Sequence, residues 1–146
     1  MTSAEKAAVL FAKGFNCSQA VLSAFCEEEG LSTERALKLA SGLGGGVRCG
    51  DVCGAVTGAI MAIGLKCGFC TEGDTVGKAY CYHRTQEFLD AFTAEFGSVI
   101  CRELLGVDIR TGDDHQTQAA KDARVGLCPN LVAGAARIVD HMASLE

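Results

Sequence analysis

The sequence contains no tryptophan, a single proline among 146 residues, and no cluster of lysine or arginine. Its net charge is -5 at neutral pH, so it offers no positively charged surface for nucleic acid or an anionic membrane. We therefore expect neither of these among its partners.

Long hydrophobic segments are missing as well. The longest charge-free run, residues 52–65, is too short to cross a bilayer, because a spanning helix needs about 20 apolar residues. The first residues lack the basic start, apolar block and cleavage site of a secretory signal. We therefore predict no membrane insertion and a cytoplasmic location, where most thiols stay reduced.

The sequence shows no alternating pattern typical of strands, and its apolar residues recur with a helical period almost throughout. Its length and the lack of a linker indicate one domain, residues 1–146. We predict an all-α, single-domain compact bundle of about five to seven helices with a buried central apolar helix. The protein should exist alone or as a small homo-oligomer.

Capping residues and glycines mark the predicted helix boundaries. Asn16 is the predicted cap of a second helix, and Asp51 that of the central helix. Residues 42–46, which contain four glycines, predict a flexible loop before Asp51. Three glycines are predicted to end helices: Gly30 the second helix, Gly97 a helix from Asp74, and Gly106 a helix from Ser98. A further helix is predicted from Asp113 to Arg124.

Nine cysteines are present, more than packing alone requires. In a reducing compartment an odd number favours metal binding, redox cycling or burial over a permanent disulfide framework. Four of them lie at predicted helix starts, where the partial positive charge favours a thiolate. Because they belong to four different helices, they could converge in a compact bundle. These four are Cys17, Cys53, Cys101 and Cys128.

The other cysteines have a weaker sequence context. Cys67 and Cys70 form a Cys-x-x-Cys at the end of the central helix, where the dipole raises a thiol pKa, so a structural role is favoured. Cys26 has apolar neighbours and is a predicted core residue. The sequence assigns no role to Cys81.

The chain resembles the CGAxxG redox-active protein family, also named for its C_GCAxxG_C_C pattern. The resemblance is carried by residues 16–21 (NCSQAV), 40–46 (ASGLGGG), 53–59 (CGAVTGA), 101–108 (CRELLGVD) and 128–129 (CP). It implies a redox-active protein whose family cysteines are Cys17, Cys53, Cys101 and Cys128. A related domain accompanies c-type haem in cytochromes that also hold an iron–sulfur centre, which favours cluster binding.

The preferred hypothesis is an iron–sulfur cluster, [2Fe-2S] or [4Fe-4S], held by these four cysteines for electron transfer or redox sensing. Such a protein needs a redox partner protein. No haem is expected, because the sequence has no Cys-x-x-Cys-His.

Two alternatives stay open. One is a metal-free thiol-disulfide oxidoreductase in which Cys53 is the thiolate and Cys49, or another of the four cysteines, resolves it. Cys49 is a candidate resolving cysteine because it lies four residues before Cys53 in a glycine-rich loop. An exposed cysteine without a function is an equally good interpretation of Cys49. The other alternative is a structural zinc site.

Overall fold

Helices dominate the chain, whose computed structural model describes residues 1–107, 118–142 and 145. Within those ranges there are 8 α-helices and no strand, which confirms the all-α prediction. The count is slightly above the predicted range of five to seven. The helices are α1 (Ser3–Ala12), α2 (Cys17–Ser23), α3 (Thr33–Leu39), α4 (Gly54–Cys67), α5 (Thr75–Phe96), α6 (Cys101–Leu105), α7 (Gln118–Gly126) and α8 (Cys128–His141).

Polar side chains cap several helix starts, as the sequence predicts. Asn16 accepts the backbone N–H of Gln19 at 2.9 Å, and Asp74 accepts that of Gly77 at 2.8 Å. At the other end of α5, Gly97 has a φ of 92°, a left-handed conformation that suits glycine and ends the helix. The predicted cap at Asn16 and stop at Gly97 are therefore confirmed.

The second helix is shorter than predicted. α2 ends at Ser23, and a 3₁₀ turn over Glu27–Glu29 then leads to Gly30. The backbone N–H groups of Ala24 and Phe25 bond to carbonyls three residues back, which tightens the chain out of the α-helical path. The prediction of one helix reaching Gly30 was wrong for this reason.

One helix in the carboxyl-terminal half also begins later than predicted. The hydroxyl of Ser98 accepts the N–H of Ile100 at 3.0 Å, and α6 begins at Cys101. Residues 113–117 of the predicted helix from Asp113 lie outside the described residues, and residues 118–126 form α7.

α4 is the buried apolar helix at the centre of the bundle. α2 can approach it closely because Gly58 has no side chain: a Cβ there would lie 2.6 Å from the carbonyl oxygen of Ser18. The five largest fully buried side chains come from α2 (Leu22), the turn after it (Phe25), α4 (Ile63) and α5 (Phe88 and Phe92). The fully buried residues of α4 itself are Ala55, Val56, Ala59, Ala62 and Ile63.

α5 is the longest helix, with 22 residues, and only part of it is buried. Phe88 and Phe92 are in the core, while Val76 and Tyr82 are exposed. Across the described part of the chain, no helix combines the length and apolar character needed to cross a bilayer.

Candidate functional site

Cys53 and Cys101 are held beside each other by backbone hydrogen bonds between the segments that precede α4 and α6. The N–H of Cys53 donates to the carbonyl of Val99 at 2.7 Å. The N–H of Cys101 donates to the carbonyl of Asp51 at 2.6 Å. This short antiparallel contact fixes the start of both helices, and therefore the position of both sulfurs.

The same pairing changes the predicted start of the central helix. Asp51 was expected to cap α4, but α4 begins at Gly54 and Cys53 occupies its cap position. The reason is that residues 51–53 stay extended to bond with the segment before α6. The prediction for Asp51 was wrong, and a cysteine stands at the helix start instead.

Cys17 is the first residue of α2 and lies against the start of α4. Asn16 and Gln19 exchange two hydrogen bonds, each 2.9 Å long, in a capping box that fixes the chain direction at Cys17. A Cβ at Gly54 would lie only 3.1 Å from the Cβ of Cys17. The glycine at position 54 thus permits the close approach of the two helix starts.

Cys128 is the first residue of α8, and Pro129 follows it within the first turn. Proline suits this position because the N–H that it lacks has no partner within the helix. Cys128 is buried, at 4% exposure, and Arg124 from the end of α7 acts on it electrostatically.

The structure brings these four cysteines to the wall of one cavity of about 260 Å³. Each comes from the start of a different helix, two short ones (α2 and α6) and two of 14 residues (α4 and α8). Two arginines and several apolar side chains complete the wall. The lining residues that matter below are Cys17, Cys53, Cys101, Cys128, Arg48 and Arg124.

Cys17 and Cys128 act on each other through their side chains. A hydrogen bond between the two thiols raises the pKa of Cys17 well above its usual value, and burial and the other three cysteines raise it further. The same bond lowers the pKa of Cys128, and Arg124 lowers it too, against the opposing effect of burial. Within this pair, Cys128 is therefore the more acidic thiol.

For Cys53, burial is the largest influence on the pKa. Burial raises the pKa of Cys53 to about 11, although the backbone N–H groups of Ala55 and Val56 partly oppose this. Without a bound metal, Cys53 is therefore a neutral thiol at physiological pH. The sequence predicted Cys53 as the reactive thiolate. Because the pKa of Cys53 is raised and that of Cys128 is lowered, Cys128 is the better candidate.

A left-handed turn, which sequence reasoning missed, forms one wall of the cavity. Gly45, Gly46, Val47 and Arg48 all have φ between 58° and 68°. This conformation is rare for non-glycine residues and exceptional for a β-branched one such as Val47. The run of glycines in the sequence was a signal for unusual backbone, but it predicted flexibility and not this defined turn.

Cys49 and the remaining cysteines lie outside this wall. Cys49 is exposed, and its thiol donates to the carbonyl of Gly46 at 3.3 Å. Cys49 is thus not among the residues that line the cavity with Cys53. Cys26 and Cys67 are buried elsewhere, Cys70 is exposed and Cys81 is half-buried on α5.

Binding of a single metal ion requires several ligand side chains close together. Within residues 1–107 and 118–142, no three side chains of His, Cys, Asp or Glu are close enough together to hold one metal ion. The four cavity cysteines instead surround a space large enough for several heavy atoms.

Comparison with protein families identifies the chain. The family model described as "Putative redox-active protein (C_GCAxxG_C_C)" matches residues 15–142. The chain belongs to this family. The match spans all nine cysteines, so membership of the C_GCAxxG_C_C family alone does not distinguish the four cavity cysteines from the other five. Their position at the cavity wall does. Comparisons with curated proteins and with solved structures found no match.

Proposed function

We propose that this C_GCAxxG_C_C protein holds an iron–sulfur cluster, [2Fe-2S] or [4Fe-4S], for electron transfer or redox sensing. The ligands would be Cys17, Cys53, Cys101 and Cys128. The observation that carries the proposal is their meeting at one cavity from four separate helix starts.

The chemistry of the donor set fits such a group. Four cysteine thiolates are the usual complement for either cluster type, and the bound cluster would accept and release single electrons. Each thiol must lose its proton to become a ligand. Cys17 and Cys53 have raised pKa values, from their thiol contact and burial respectively, so binding would release protons from both.

Positive charge around the cavity offsets the negative charge of four thiolates. Arg48 and Arg124 line the wall. The amino-terminal ends of α4 and α8 add the partial positive charge of two 14-residue helices. The shorter α2 and α6 contribute less. These groups would raise the affinity for an anionic centre and its reduction potential together.

The decisive experiment is elemental analysis of protein purified without oxygen, for iron, acid-labile sulfide and zinc, with a visible spectrum. We expect iron and sulfide with visible absorption, lost in Cys53→Ala and in Cys101→Ala. Cys26→Ala is the matched control, since Cys26 is a buried cysteine outside the cavity wall, and it should keep the spectrum.

Two results would contradict the cluster. Colourless, metal-free protein that cannot be reconstituted with iron and sulfide would remove it. Stoichiometric zinc would support the structural zinc site that the sequence left open.

A second candidate, thiol-disulfide exchange, is favoured by the Cys17–Cys128 contact. The Cys128 thiolate would attack a partner's disulfide and release one partner thiol. Cys17 would then attack the mixed disulfide at Cys128, releasing the second thiol and leaving a Cys17–Cys128 bond. The partner's disulfide is reduced by two electrons and the cysteine pair is oxidised by two.

This second candidate has its own test on metal-free protein treated with oxidised glutathione. Trypsin cuts after Lys13, Arg35, Arg124 and Arg137, so the bond would join peptides 14–35 and 125–137. Peptide 14–35 also contains Cys26, and Cys26→Ser should leave the linked pair unchanged. Failure to detect linked peptides in the wild type would rule the candidate out.

A further inference from the structure

A second pair of cysteines meets at the opposite end of α4, away from the cavity wall. Cys67 is the last residue of α4, and Cys81 lies in the second turn of α5. These two helices pack against each other, and Cys81 lies near enough to Cys67 to act on its thiol. These two cysteines take no part in the proposed function.

The surrounding structure holds the two helices together at this point. The rings of Phe69 and Tyr82 meet edge to face with centroids 6.2 Å apart. Phe69 follows Cys67 by two positions, and Tyr82 follows Cys81 directly. The aromatic contact therefore joins the two chain segments next to the two cysteines. α4 and α5 therefore keep the two thiols as neighbours in the folded state.

The pair also differs from the one that the sequence motif suggests. Cys67 and Cys70 form a Cys-x-x-Cys, but Cys70 is exposed, at the surface of the connection after α4, while Cys67 is buried. Cys81, and not Cys70, is the cysteine that acts on the thiol of Cys67. The partner of Cys67 thus comes from the next helix and not from its own motif.

We infer that Cys67 and Cys81 are a second redox pair, oxidised by small-molecule disulfides to a disulfide bond that joins the end of α4 to α5. Cys81, the more exposed of the two, attacks the small disulfide and releases one small thiol. Cys67 then attacks the mixed disulfide at Cys81 and releases the second. Two protein thiols become one disulfide, and the small disulfide becomes two thiols.

Burial raises the pKa of Cys67, and Cys81 raises it too, while the positive charge of Arg84, one turn after Cys81 on α5, partly opposes them. Arg84 forms an ion pair with Glu87, whose carboxylate lies 3.0 Å from its Nε and offsets part of its positive charge.

The test is peptide mapping of the folded protein after treatment with oxidised glutathione and trapping of free thiols. Trypsin cuts after Lys66, Lys78 and Arg84, which separates peptide 67–78 from peptide 79–84. We expect these two peptides to be joined by a disulfide in the wild type and in Cys70→Ser. The joined species should disappear in Cys81→Ser and in Cys67→Ser, and dithiothreitol should reverse it.

Cys70→Ser is the matched variant, because peptide 67–78 carries both cysteines of the motif and Cys70 is exposed, so its replacement should not disturb folding. Loss of the joined peptides in Cys70→Ser would overturn the inference, since the bond would then involve Cys70. Absence of the joined peptides from the folded wild type would overturn it as well. A sample oxidised in denaturant shows the distribution expected without a folded contact.

Discussion

The two ends of α4 both present cysteine, but they are constructed differently. At the amino-terminal end, four cysteines from four helices surround a cavity with two arginines, beside a left-handed turn and an extended backbone pairing. At the carboxyl-terminal end, Cys67 meets Cys81 between two regular helices.

The difference shows where the fold departs from regular backbone. Residues held in rarely populated conformations are destabilising and persist where the surrounding structure determines them, often at functional sites. Among the residues that the structure describes, the non-glycine residues with positive φ are Val47 and Arg48, and both belong to the cavity end. The concentration of unusual backbone at one end indicates that the cavity, more than the packing of α4, shapes that part of the molecule.

The largest expected effect is the loss of stability when a glycine at the cavity end, and not one near the other end of α4, is replaced by alanine. Gly46 has a φ of 65°, and a Cβ there would lie 2.8 Å from the Cβ of Cys101 and overlap the backbone of Asp51. Gly46→Ala should therefore lower the free energy of unfolding by about 3–5 kcal/mol. Denaturant unfolding followed by circular dichroism measures the change.

Gly64→Ala on α4 is the matched control for that substitution. A Cβ at Gly64 meets nothing within 4 Å, so alanine should raise stability by up to about 1 kcal/mol through its higher helix propensity. Equal effects of the two substitutions would show that the cavity end is no more constrained than the regular helix.

The next effect concerns the pH dependence of stability. The pKa of Cys53 rises from 9.0 to about 11 on folding because the side chain is buried. Between these pH values the folded state holds a proton that the unfolded state has lost, so stability should fall as pH rises. The stabilisation is complete below pH 9.0 and decreases by about 1.4 kcal/mol per pH unit up to about pH 11.

Chemical denaturation of metal-free protein across this range measures the slope. Cys53→Ala should remove about 3 kcal/mol of the total decrease, while Cys70→Ala, at an exposed position, should keep the wild-type slope. If Cys53→Ala and the wild type lost stability in parallel, Cys53 would not be the buried neutral thiol described above.

The smallest effect concerns the reactivity of Cys128 in metal-free protein. Its pKa is lowered first by the hydrogen bond from Cys17 and then by Arg124. Cys17→Ala should therefore slow alkylation of Cys128 by iodoacetamide at neutral pH, and Arg124→Gln should slow it less. The rate falls about tenfold for each unit by which the pKa rises above the working pH.

Mass spectrometry of the peptide that carries Cys128 follows this reaction. Arg137→Gln is the control, since Arg137 lies on the same helix but pairs with Glu95. Unchanged alkylation in Cys17→Ala would mean that the thiol contact does not govern Cys128.

Much of the fold followed from local signals in the sequence. Asn16 and Gly97 were predicted correctly because a cap or a stop depends on a few neighbouring residues. Asp51 was not, because its role depends on a segment far along the chain that holds residues 51–53 extended.

Some features of the candidate site could likewise be predicted from the sequence, and others could not. Helix starts and the family pattern singled out Cys17, Cys53, Cys101 and Cys128, and the structure places all four at one cavity. The contact of Cys17 with Cys128 and that of Cys67 with Cys81 could not be predicted, because each depends on how separate helices pack.

The bridge between Val52 and Ile100 has a consequence for the order of folding. It joins segments separated by the whole of α4 and α5, and Cys17 meets Cys128 across nearly the entire chain. Contacts so distant in sequence form late, because the intervening chain must first lose its conformational freedom. We therefore expect the cavity to close last, so that a chain emerging from the ribosome would have no complete four-sulfur pocket until α8 had been synthesised and docked.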